Sequence, residues 1–433
     1  VRYAAAYGHW VKQQRNKQNH RVVVGRDARI SGEMLQQLVM QTLVGLGIHV
    51  IDLQLSTTPT VEVAVALEKA DGGIILTASH NPKQWNALKL LDHQGEFLNA
   101  AQGQEVLDIA QKGNTCFAEV GALGTIAPNQ AYIDIHIDEI LELPLVNKQA
   151  IKKAGFTVVV DGVNSTGGIA VPLLLEALGV HPVKLYCSPT GHFPHNPEPL
   201  KENLGDIMKE VPKHGADLGI VVDPDVDRLA FIDENGAMFG EEYTLVAVAD
   251  YVLRHTPGNT VSNMSSSRAL RDITEKHGGT HTASAVGEVN VVKEMKRTNA
   301  VIGGEGNGGV IYPKLHYGRD SLVGIALFLS HLAQKGGKVS ALRAAYPSYF
   351  MSKKKINLAP NINVGVVLQA MEKKYANEKI NTADGIKIDF PKNWVHLRKS
   401  NTEPIIRIYT EAKTQAGADA LAARFITEIK GVL

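Results

Sequence analysis

The sequence predicts an α/β fold: three related α/β domains with mixed sheets around a cleft, plus a C-terminal α+β domain. Three segments share one order, in which a β-branched run leads into a polar or glycine-rich turn and then into a helix closed by glycine. They recur at intervals of about one domain length, which indicates repeated units. The last part of the chain reads instead as neighbouring strands and a helix. A chain of 433 residues is also too long for one core.

The three repeats are defined by their strand runs and their closing glycines. The runs begin at residues 22, 158 and 260, and the helices after them end at or near Gly47, Gly179 and Gly278. Apolar residues at helical spacing give the first helix one hydrophobic face, made by Leu35, Leu38, Val39 and Leu43. Ligands of such units bind beyond the carboxyl ends of the strands, so the polar turns there are the first candidates for a site.

The C-terminal part is predicted to hold strands at 386–390, 394–398 and 405–409 and a helix at 416–429, an antiparallel α+β pattern. We place candidate domain boundaries near residues 153, 236 and 349. The expected domains are therefore 1–152, 153–236, 237–349 and 350–433. The chain opens in the middle of an amphipathic helix without a capping residue, so we expect the first domain to be N-terminally incomplete.

Composition excludes several classes of protein. The 44% hydrophobic and 21% charged residues are those of a globular protein. No apolar run approaches the roughly 20 residues of a membrane helix, so we expect a cytoplasmic protein without a membrane partner. The formal net charge is only +1, so the chain has no overall positive potential that would attract nucleic acid. The two cysteines, Cys116 and Cys187, lack a metal or redox spacing and are expected to be reduced thiols.

The segment TASHNP, residues 77–82, directly follows an apolar strand and presents the hydroxyl of Ser79 among turn-forming residues. A serine hydroxyl becomes a useful nucleophile only with a base or a metal nearby. His80 is the next residue, but consecutive side chains rarely face each other, so a relay between the two is not expected. The alternative is an exposed polar turn without chemistry.

The segment DPDVDR follows the strand-like run at 218–222 and places Asp223, Asp225 and Asp227 at alternate positions. Three oxygen ligands suit Mg²⁺ or Ca²⁺. An EF-hand also begins with this spacing, but Arg228 occupies the position of its obligatory glycine, and both flanks read as strands. A solvated acidic turn is the other alternative. Mutual repulsion of the carboxylates favours a bound cation.

Two further turns carry polar side chains. The glycine-rich run at 303–309 contains Glu305 and Asn307, which suit sugar hydroxyls better than an anion, although such runs are often only turns. The segment RKSNTEP and the strand after it provide a candidate phosphate clamp, with a basic surface turn as the alternative. Its residues are Arg398, Ser400, Asn401, Thr402 and Arg407. Lys89, on the strand after the serine segment, and the pair Arg26 and Arg29 are weaker basic candidates.

These four motifs, one in each expected domain and in this order, resemble the α-D-phosphohexomutases. The resemblance implies that Ser79 is a phosphoserine and that its phosphate and the three aspartates hold Mg²⁺. It implies that Glu305 and Asn307 bind the sugar, that the clamp residues bind the non-reacting phosphate, and that Lys89 and Arg228 lie near the transferred one. It also implies a small phosphosugar substrate and a hexose 1,6-bisphosphate, which acts as intermediate and activator.

The sequence departs from the family pattern at two places. Many members carry Ser-Gly-His after the sugar-loop glutamate, whereas Asn307 stands in a run of glycines here, so Lys89, Arg228 and His80 become the candidates for general acid and base. Members also carry a Gly-x-Arg-Gly loop on an N-terminal strand, which does not occur before Val1.

The predicted function is interconversion of hexose 6-phosphate and hexose 1-phosphate. Glucosamine phosphate is the first choice, because Asn307, Glu288 and Asn290 offer acceptors for a 2-amino group. Phosphomannomutase or phosphoglucomutase activity is the alternative within the family. A regulatory phosphoprotein that binds a phosphosugar without turnover is the alternative from another class.

Overall fold

The computed structural model describes residues 1–15, 17–113, 115–357, 364–399 and 405–431. The chain forms two compact units. The first comprises Val1–His255 with Asn307–Arg343, and the second comprises Thr256–Gly306 with Ala344–Leu433.

The first sheet of unit one has the strand order β4-β3-β1-β2-β5. Its strands β1, β2 and β3 run parallel, and β4 returns antiparallel to β3. The elements of this region are α1 (Arg2–Gln14), β1 (His20–Arg26), α2 (Gly32–Gly45), β2 (Ile48–Leu55), α3 (Thr58–Leu67), β3 (Gly72–Leu76), β4 (Leu88–Leu91), α4 (Ala100–Lys112), β5 (Ile126–Pro128) and α5 (Tyr132–Leu141).

The second sheet, also in unit one, has the order β7-β6-β8-β9. Its first three strands are parallel, and β9 returns antiparallel to β8. The elements are α6 (Lys148–Ala154), β6 (Thr157–Asp161), α7 (Gly167–Ala177), β7 (His181–Leu185), α8 (Gly205–Lys213), β8 (Leu218–Val222), β9 (Leu229–Asp233) and α9 (Glu241–His255).

In unit two, β10 pairs in parallel with both β11 and β12, which repeats the arrangement of the first two sheets. The elements of this region are β10 (Thr260–Asn263), α10 (Ala269–Lys276), β11 (His281–Ser284), α11 (Glu288–Thr298) and β12 (Ile302–Glu305). The chain then continues through β13 (Gly309–Ile311), α12 (Ser321–Lys335) and α13 (Val339–Ala344).

The last sheet, in unit two, is antiparallel throughout and has the order β14-β18-β17-β16-β15. Its elements are β14 (Phe350–Asn357), α14 (Val364–Lys374), β15 (Lys379–Asn381), β16 (Ile386–Asp389), β17 (Trp394–Lys399), β18 (Ile405–Ala412) and α15 (Gln415–Lys430). The prediction of three related α/β sheets followed by an α+β region is confirmed.

Both faces of the first sheet are covered by apolar side chains. Val22, Val24 and Ile74 belong to a core with α1 and α2, while Val23 and Ile75 belong to a second core with α3. A sheet buried on both faces leaves its strand ends as the place where polar groups reach solvent. Within the described residues, no helix combines the length and apolarity needed to cross a membrane.

Candidate active site

The serine segment forms the turn between β3 and the antiparallel strand β4. Ser79 has a left-handed backbone with φ of +49°, which is uncommon for a residue other than glycine. The backbone N–H of Ser79 donates a hydrogen bond of 2.8 Å to Oγ1 of Thr77, and this bond helps to hold the turn. The Ser79 side chain is largely buried, whereas residues 81–85, which continue the turn, are exposed.

Arg29 organises this turn from within. It is only 1% exposed, and its guanidinium donates to four backbone carbonyls, those of Ser79, Asn81, Pro82 and Trp85, at 2.5, 2.7, 2.9 and 2.9 Å. Asp27 accepts hydrogen bonds from Arg29 Nε at 3.0 Å and from Thr77 Oγ1 at 2.7 Å. Burial raises the pKa of Asp27 to about 6, against the opposing effect of Arg29. Arg29, a weak candidate from the sequence, is therefore a buried support of the serine turn.

The acidic segment forms the turn between β8 and β9. Asp223, Asp225 and Asp227 are all fully buried. Oδ1 of Asp223 accepts the backbone N–H groups of Asp227 and Arg228, at 3.1 Å each, and so closes the turn on itself. Val226 has a left-handed backbone with φ of +65°. The strands on both sides exclude the EF-hand alternative, which requires helices.

The serine turn and the acidic turn meet, although 144 positions separate their contacting residues. Oγ of Ser79 donates a hydrogen bond of 2.7 Å to Oδ2 of Asp223. Burial, followed by the charges of Asp227 and Asp225, raises the pKa of Asp223 well above its usual range. The three carboxyl groups therefore lie close enough to oppose one another's ionisation, next to the hydroxyl of Ser79.

Lys89 and Arg319 approach the carboxylates. Nζ of Lys89 lies 2.6 Å from Oδ2 of Asp225 and 2.9 Å from Oδ2 of Asp227, and Nη2 of Arg319 donates to the same Asp227 oxygen at 2.7 Å. Burial alone would lower the pKa of Lys89, but the charges of Asp225 and Asp227 outweigh this effect and raise the pKa above its usual value. Burial would raise the pKa of Asp227, but Arg319, Lys89 and Arg228 together lower it. Sequence reasoning missed Arg319, because its partner lies 92 positions away and no local motif marks it.

The donor set fits a hard divalent cation. Oxygens of the three aspartates lie within 4.8 Å of one another. Oδ1 of Asp225 and Oδ1 of Asp227 are buried and have no hydrogen-bond partner among the described residues, while Oδ2 of each is held by cationic side chains. A buried carboxylate oxygen without a donor is what a metal ligand requires. The acidic turn can therefore hold a metal ion.

His80 corrects one expectation from the sequence. Its Nδ1 lies 3.3 Å from Oγ of Ser79, so the two neighbouring side chains do face each other. The left-handed backbone at Ser79 explains the difference, because it turns the chain back on itself. Burial, followed by the charge of Arg228, lowers the pKa of His80 to about 4. The imidazole is therefore neutral near pH 7 and can accept a proton.

Arg228 lies beside His80, with Nη2 at 3.4 Å from Nε2 of that ring and Nη1 at 2.9 Å from Oε1 of Glu198. Asn307, also in unit one, accepts the backbone N–H of Gly309 at 3.3 Å through its Oδ1. The structure thus brings Ser79, His80, Lys89, Arg228 and the three aspartates together.

The other sequence-derived residues lie in unit two. Glu305 ends β12, and its Oε1 accepts from Nδ2 of Asn263 at 2.8 Å and from the backbone N–H of Gly287 at 3.2 Å. These bonds fix the orientation of the carboxylate at the carboxyl end of the strand. Its predicted contact with sugar stays a prediction.

Arg398 and Arg407 are direct cross-strand partners on β17 and β18. Like charges at opposed positions destabilise a sheet, so such a pair favours an anionic partner. Nε of Arg398 lies 2.8 Å from Oδ2 of Asp384, which compensates part of the charge. The remaining clamp candidates, Ser400, Asn401 and Thr402, lie outside the described residues.

Four family models match the chain in succession. They are described as phosphoglucomutase/phosphomannomutase alpha/beta/alpha domain I at residues 1–115, domain II at 134–236, domain III at 240–349, and the C-terminal domain at 356–428. Together they cover most of the chain and agree with the three repeated sheets followed by an antiparallel one.

Relatives and a solved structure agree with the family models. A protein of Thermococcus kodakarensis named phosphoglucomutase/phosphomannomutase is 38% identical over 96% of this chain and 91% of its own length. A probable phosphoglucosamine mutase of Methanopyrus kandleri is 31% identical over 94% of this chain and 90% of its own length. A crystal structure of a phosphoglucomutase/phosphomannomutase family protein from Burkholderia thailandensis has a TM-score of 0.86 at 25% identity, covering 99% of this chain and 92% of that one. The chain therefore belongs to the phosphoglucomutase/phosphomannomutase family.

Proposed function

We propose that this phosphohexomutase interconverts hexose 6-phosphate and hexose 1-phosphate through a phosphorylated Ser79 and a hexose 1,6-bisphosphate intermediate. The observation that carries the proposal is the hydroxyl of Ser79, which lies 2.7 Å from a carboxylate of a buried acidic triad. A serine placed in this way can give a phosphoryl group to a sugar hydroxyl and later take the other phosphate of the same sugar.

Ser79 acts as the phosphoryl carrier. Its turn is held by the buried guanidinium of Arg29 and by the hydrogen bond from Ser79 N–H to Thr77. Because the position of Ser79 is already fixed, less conformational entropy is lost when the serine is oriented for phosphoryl transfer.

Asp223, Asp225 and Asp227 would hold Mg²⁺ together with a phosphate oxygen on Ser79. When bound, this ion supplies positive charge to the phosphoryl group that is being transferred. Lys89 and Arg228 supply further charge from the protein itself, since phosphoryl transfer depends mainly on positioning and electrostatic stabilisation.

His80 is our candidate for the proton transfer at Ser79. When the serine oxygen takes a phosphoryl group, its proton moves to Nδ1 of His80, which lies 3.3 Å from Oγ. The departing sugar oxygen then needs a proton, which the protonated imidazole can return. This assignment replaces the histidine that the sugar loop of this chain lacks. Lys89 remains the alternative, because its Nζ lies at the same carboxylates.

We assign substrate binding to residues of the sugar-loop and clamp motifs. Glu305 and Asn307 carry an acceptor and an amide for sugar hydroxyls, and the cross-strand pair Arg398 and Arg407 is suited to the phosphate that does not react. A hexose 1,6-bisphosphate would serve as activator, because it can phosphorylate any enzyme molecule whose Ser79 has lost its phosphate.

The sugar itself is decided by contacts at C2. The names of the relatives divide between glucose or mannose phosphate and glucosamine phosphate. One contact distinguishes a 2-hydroxyl from a 2-amino group by only about 1–3 kcal/mol. The preference for glucosamine phosphate, argued from Glu288, Asn290 and Asn307, stays a prediction.

The direct test is interconversion of hexose 1- and 6-phosphates by the purified protein with Mg²⁺ and a trace of the matching 1,6-bisphosphate. We expect turnover that stops in excess chelator. A protein that carries phosphate on Ser79 and binds phosphosugars but never interconverts them would contradict the mutase proposal and favour a regulatory phosphoprotein.

A further inference from the structure

Two segments outside the serine turn hold the acidic turn in unit one. At the start of α3, Thr58 donates its N–H to the carbonyl of Asp225 at 2.9 Å and its hydroxyl to Oδ2 of that residue at 2.5 Å. At the start of α12, the N–H of Ser321 donates to the carbonyl of Val226 at 3.2 Å. Arg319, two residues earlier, donates to Oδ2 of Asp227.

A buried polar cluster joins these two segments. Oδ2 of Asp320 lies 3.0 Å from Nε2 of His136, on α5, and 3.3 Å from Nε2 of His316. Nδ1 of His316 lies 3.2 Å from Oε2 of Glu62, on α3. Nδ1 of His136 lies 3.0 Å from Oγ1 of Thr60, also on α3. Each imidazole therefore contacts Asp320 on one side and α3 on the other.

The cluster is almost entirely excluded from water. The side chains of His136 and Asp320 are 0% exposed, that of Glu62 is 1% exposed and that of His316 is 11% exposed. Buried charges are tolerated only when they are paired, and removal of one partner leaves the other uncompensated. Asp320 also accepts the N–H groups of Leu322 and Val323 through its other oxygen and so caps α12.

The backbone just before Arg319 packs closely against the cluster. A Cβ atom placed on Gly318 would lie 1.8 Å from Oε2 of Glu62, so any larger residue there would displace the Glu62 carboxylate. The N–H of Asp320 donates to the carbonyl of Val310 at 2.8 Å. The backbone on either side of Arg319 is thus fixed by groups that do not belong to the acidic turn.

We propose that Arg319 is a positioning residue of the phosphoryl-transfer centre, and that the buried cluster of Glu62, His136, His316 and Asp320 determines its place. Arg319 occupies Oδ2 of Asp227 and leaves the buried Oδ1 of that carboxylate for a cation. Partners of this kind orient a metal ligand without touching the metal. The proposal rests on the assignment of the acidic turn to Mg²⁺ in the proposed function.

The first experiment compares Arg319→Lys and Arg319→Met with the wild type by Mn²⁺ binding, followed by electron paramagnetic resonance without any sugar. We expect both variants to lose affinity by roughly 10-fold or more, because the ammonium group of lysine does not reproduce the planar fork of arginine. The kcat should fall more than KM rises. If Arg319 were only a repelling charge, Arg319→Met would bind Mn²⁺ more tightly and Arg319→Lys would match the wild type, which would overturn the proposal.

The second experiment changes the cluster without touching the acidic turn. His316→Asn and Glu62→Gln should each weaken Mn²⁺ binding in the same direction as the Arg319 variants. His331→Asn is the matched control: it lies on the same helix, α12, and loses a buried contact in which Nε2 lies 3.7 Å from Oδ2 of Asp250. This control should keep the affinity of the wild type. All proteins are compared at a temperature where thermal unfolding shows them to be folded.

Three results would overturn the role of the cluster. Unchanged Mn²⁺ binding in both cluster variants would show that Arg319 does not depend on them. An equal loss in His331→Asn would indicate general destabilisation. A stoichiometric transition metal in the purified enzyme that disappears in His316→Asn would make the cluster a metal site, a role that its two imidazoles and Asp320 also suit. Because Mn²⁺ binding is measured without sugar, failure of mutase activity alone would sink the proposed function and not this inference.

Discussion

The conformation of Ser79 determines what its neighbours can do. A left-handed backbone turns the hydroxyl towards Asp223 and brings Nδ1 of His80 within 3.3 Å of it. The same oxygen is therefore next to an acceptor for a proton and next to the carboxylates that would hold a cation. Sequence spacing alone could not predict either contact. Consecutive side chains such as those of Ser79 and His80 rarely face each other, and Asp223 lies 144 positions away.

Replacing the serine tests the carrier directly. Ser79→Ala should lose mutase activity by several orders of magnitude, since no oxygen remains to carry the phosphoryl group. Peptide mass spectrometry of the wild type should detect phosphate on the peptide that contains Ser79. Ser188→Ala, at an exposed position, is the control and should retain full activity. Full activity in Ser79→Ala would exclude the carrier role.

The charges around Ser79 predict that phosphate and Mg²⁺ bind cooperatively. Lys89, Arg228 and Arg319 already compensate the negative charge of the aspartate triad in the absence of phosphate. A serine phosphate adds a charge of about −2, which one divalent cation restores. Calorimetric titration should therefore find tighter Mg²⁺ binding to the phosphorylated enzyme than to the dephosphorylated enzyme. Equal affinities in the two forms would contradict this account.

Arg407 permits a separate test of the second unit. Arg407→Ala should mainly raise KM for both positional isomers, with a loss of roughly 1.5–3 kcal/mol for one charge-assisted contact. Arg424→Ala serves as the control, because this arginine pairs with Glu428 on the surface of α15 in the same unit. An unchanged KM in Arg407→Ala would rule out the phosphate clamp.

At the scale of elements, local patterns predicted strands and helices where one signal dominated. The β-branched runs became β1, β6 and β10 near the predicted positions, and three C-terminal strands were found as expected. β14 was missed, because its sequence FMSKKKIN contains three consecutive lysines and no regular apolar alternation. Arg319 and Thr58 were missed for a different reason. Their contacts to the acidic turn span 92 and 167 positions, and such contacts exist only in the folded chain.

The contact between β6 and the segment after β7 predicts a pH dependence of stability. Nε2 of His195 lies 2.9 Å from Oδ2 of Asp161, and although burial lowers the pKa of His195, this hydrogen bond and charge raise it overall. A raised pKa means that the folded state binds the proton more tightly. The contribution is complete below the unfolded pKa of about 6.5 and is lost as pH rises through the folded pKa.

Chemical denaturation between pH 5 and pH 9 measures this effect. In His195→Asn the loss of stability with rising pH above about 6.5 should be smaller than in the wild type. A wild-type slope in His195→Asn would show that the contact with Asp161 contributes no proton linkage.

At the scale of the whole molecule, one strand order occurs three times. The strands β2-β1-β3, β7-β6-β8 and β11-β10-β12 each place the first strand of a repeat between the second and the third. In each repeat the first strand is therefore central, and its carboxyl end leads into a polar turn. This repetition explains why the fold class could be predicted from the sequence. The same pattern of strand, polar turn and helix occurs in all three repeats, so one interpretation applies to each of them.

Comparison of substrates tests the whole enzyme. Glucosamine, glucose and mannose 6-phosphates should be compared side by side at matched Mg²⁺, and the sequence-based prediction is that glucosamine phosphate has the highest kcat/KM. Glu288→Ala should then reduce its advantage over glucose phosphate, because a charge-assisted bond to the 2-ammonium group is lost. Greater efficiency with glucose or mannose phosphate would reverse the choice of sugar and leave the mutase class unchanged.

The guanidinium of Arg29 is bonded to four carbonyls of the serine turn, and this has a consequence for the order of events in catalysis. A phosphate carrier held this firmly cannot swing between the two ends of a sugar. On the proposed mechanism, the sugar would therefore reverse its own direction between the two transfers, while Ser79 stays in place. The bisphosphate would be held by fewer contacts during that reversal. Any molecule lost to solvent would leave Ser79 without phosphate until added bisphosphate restored it.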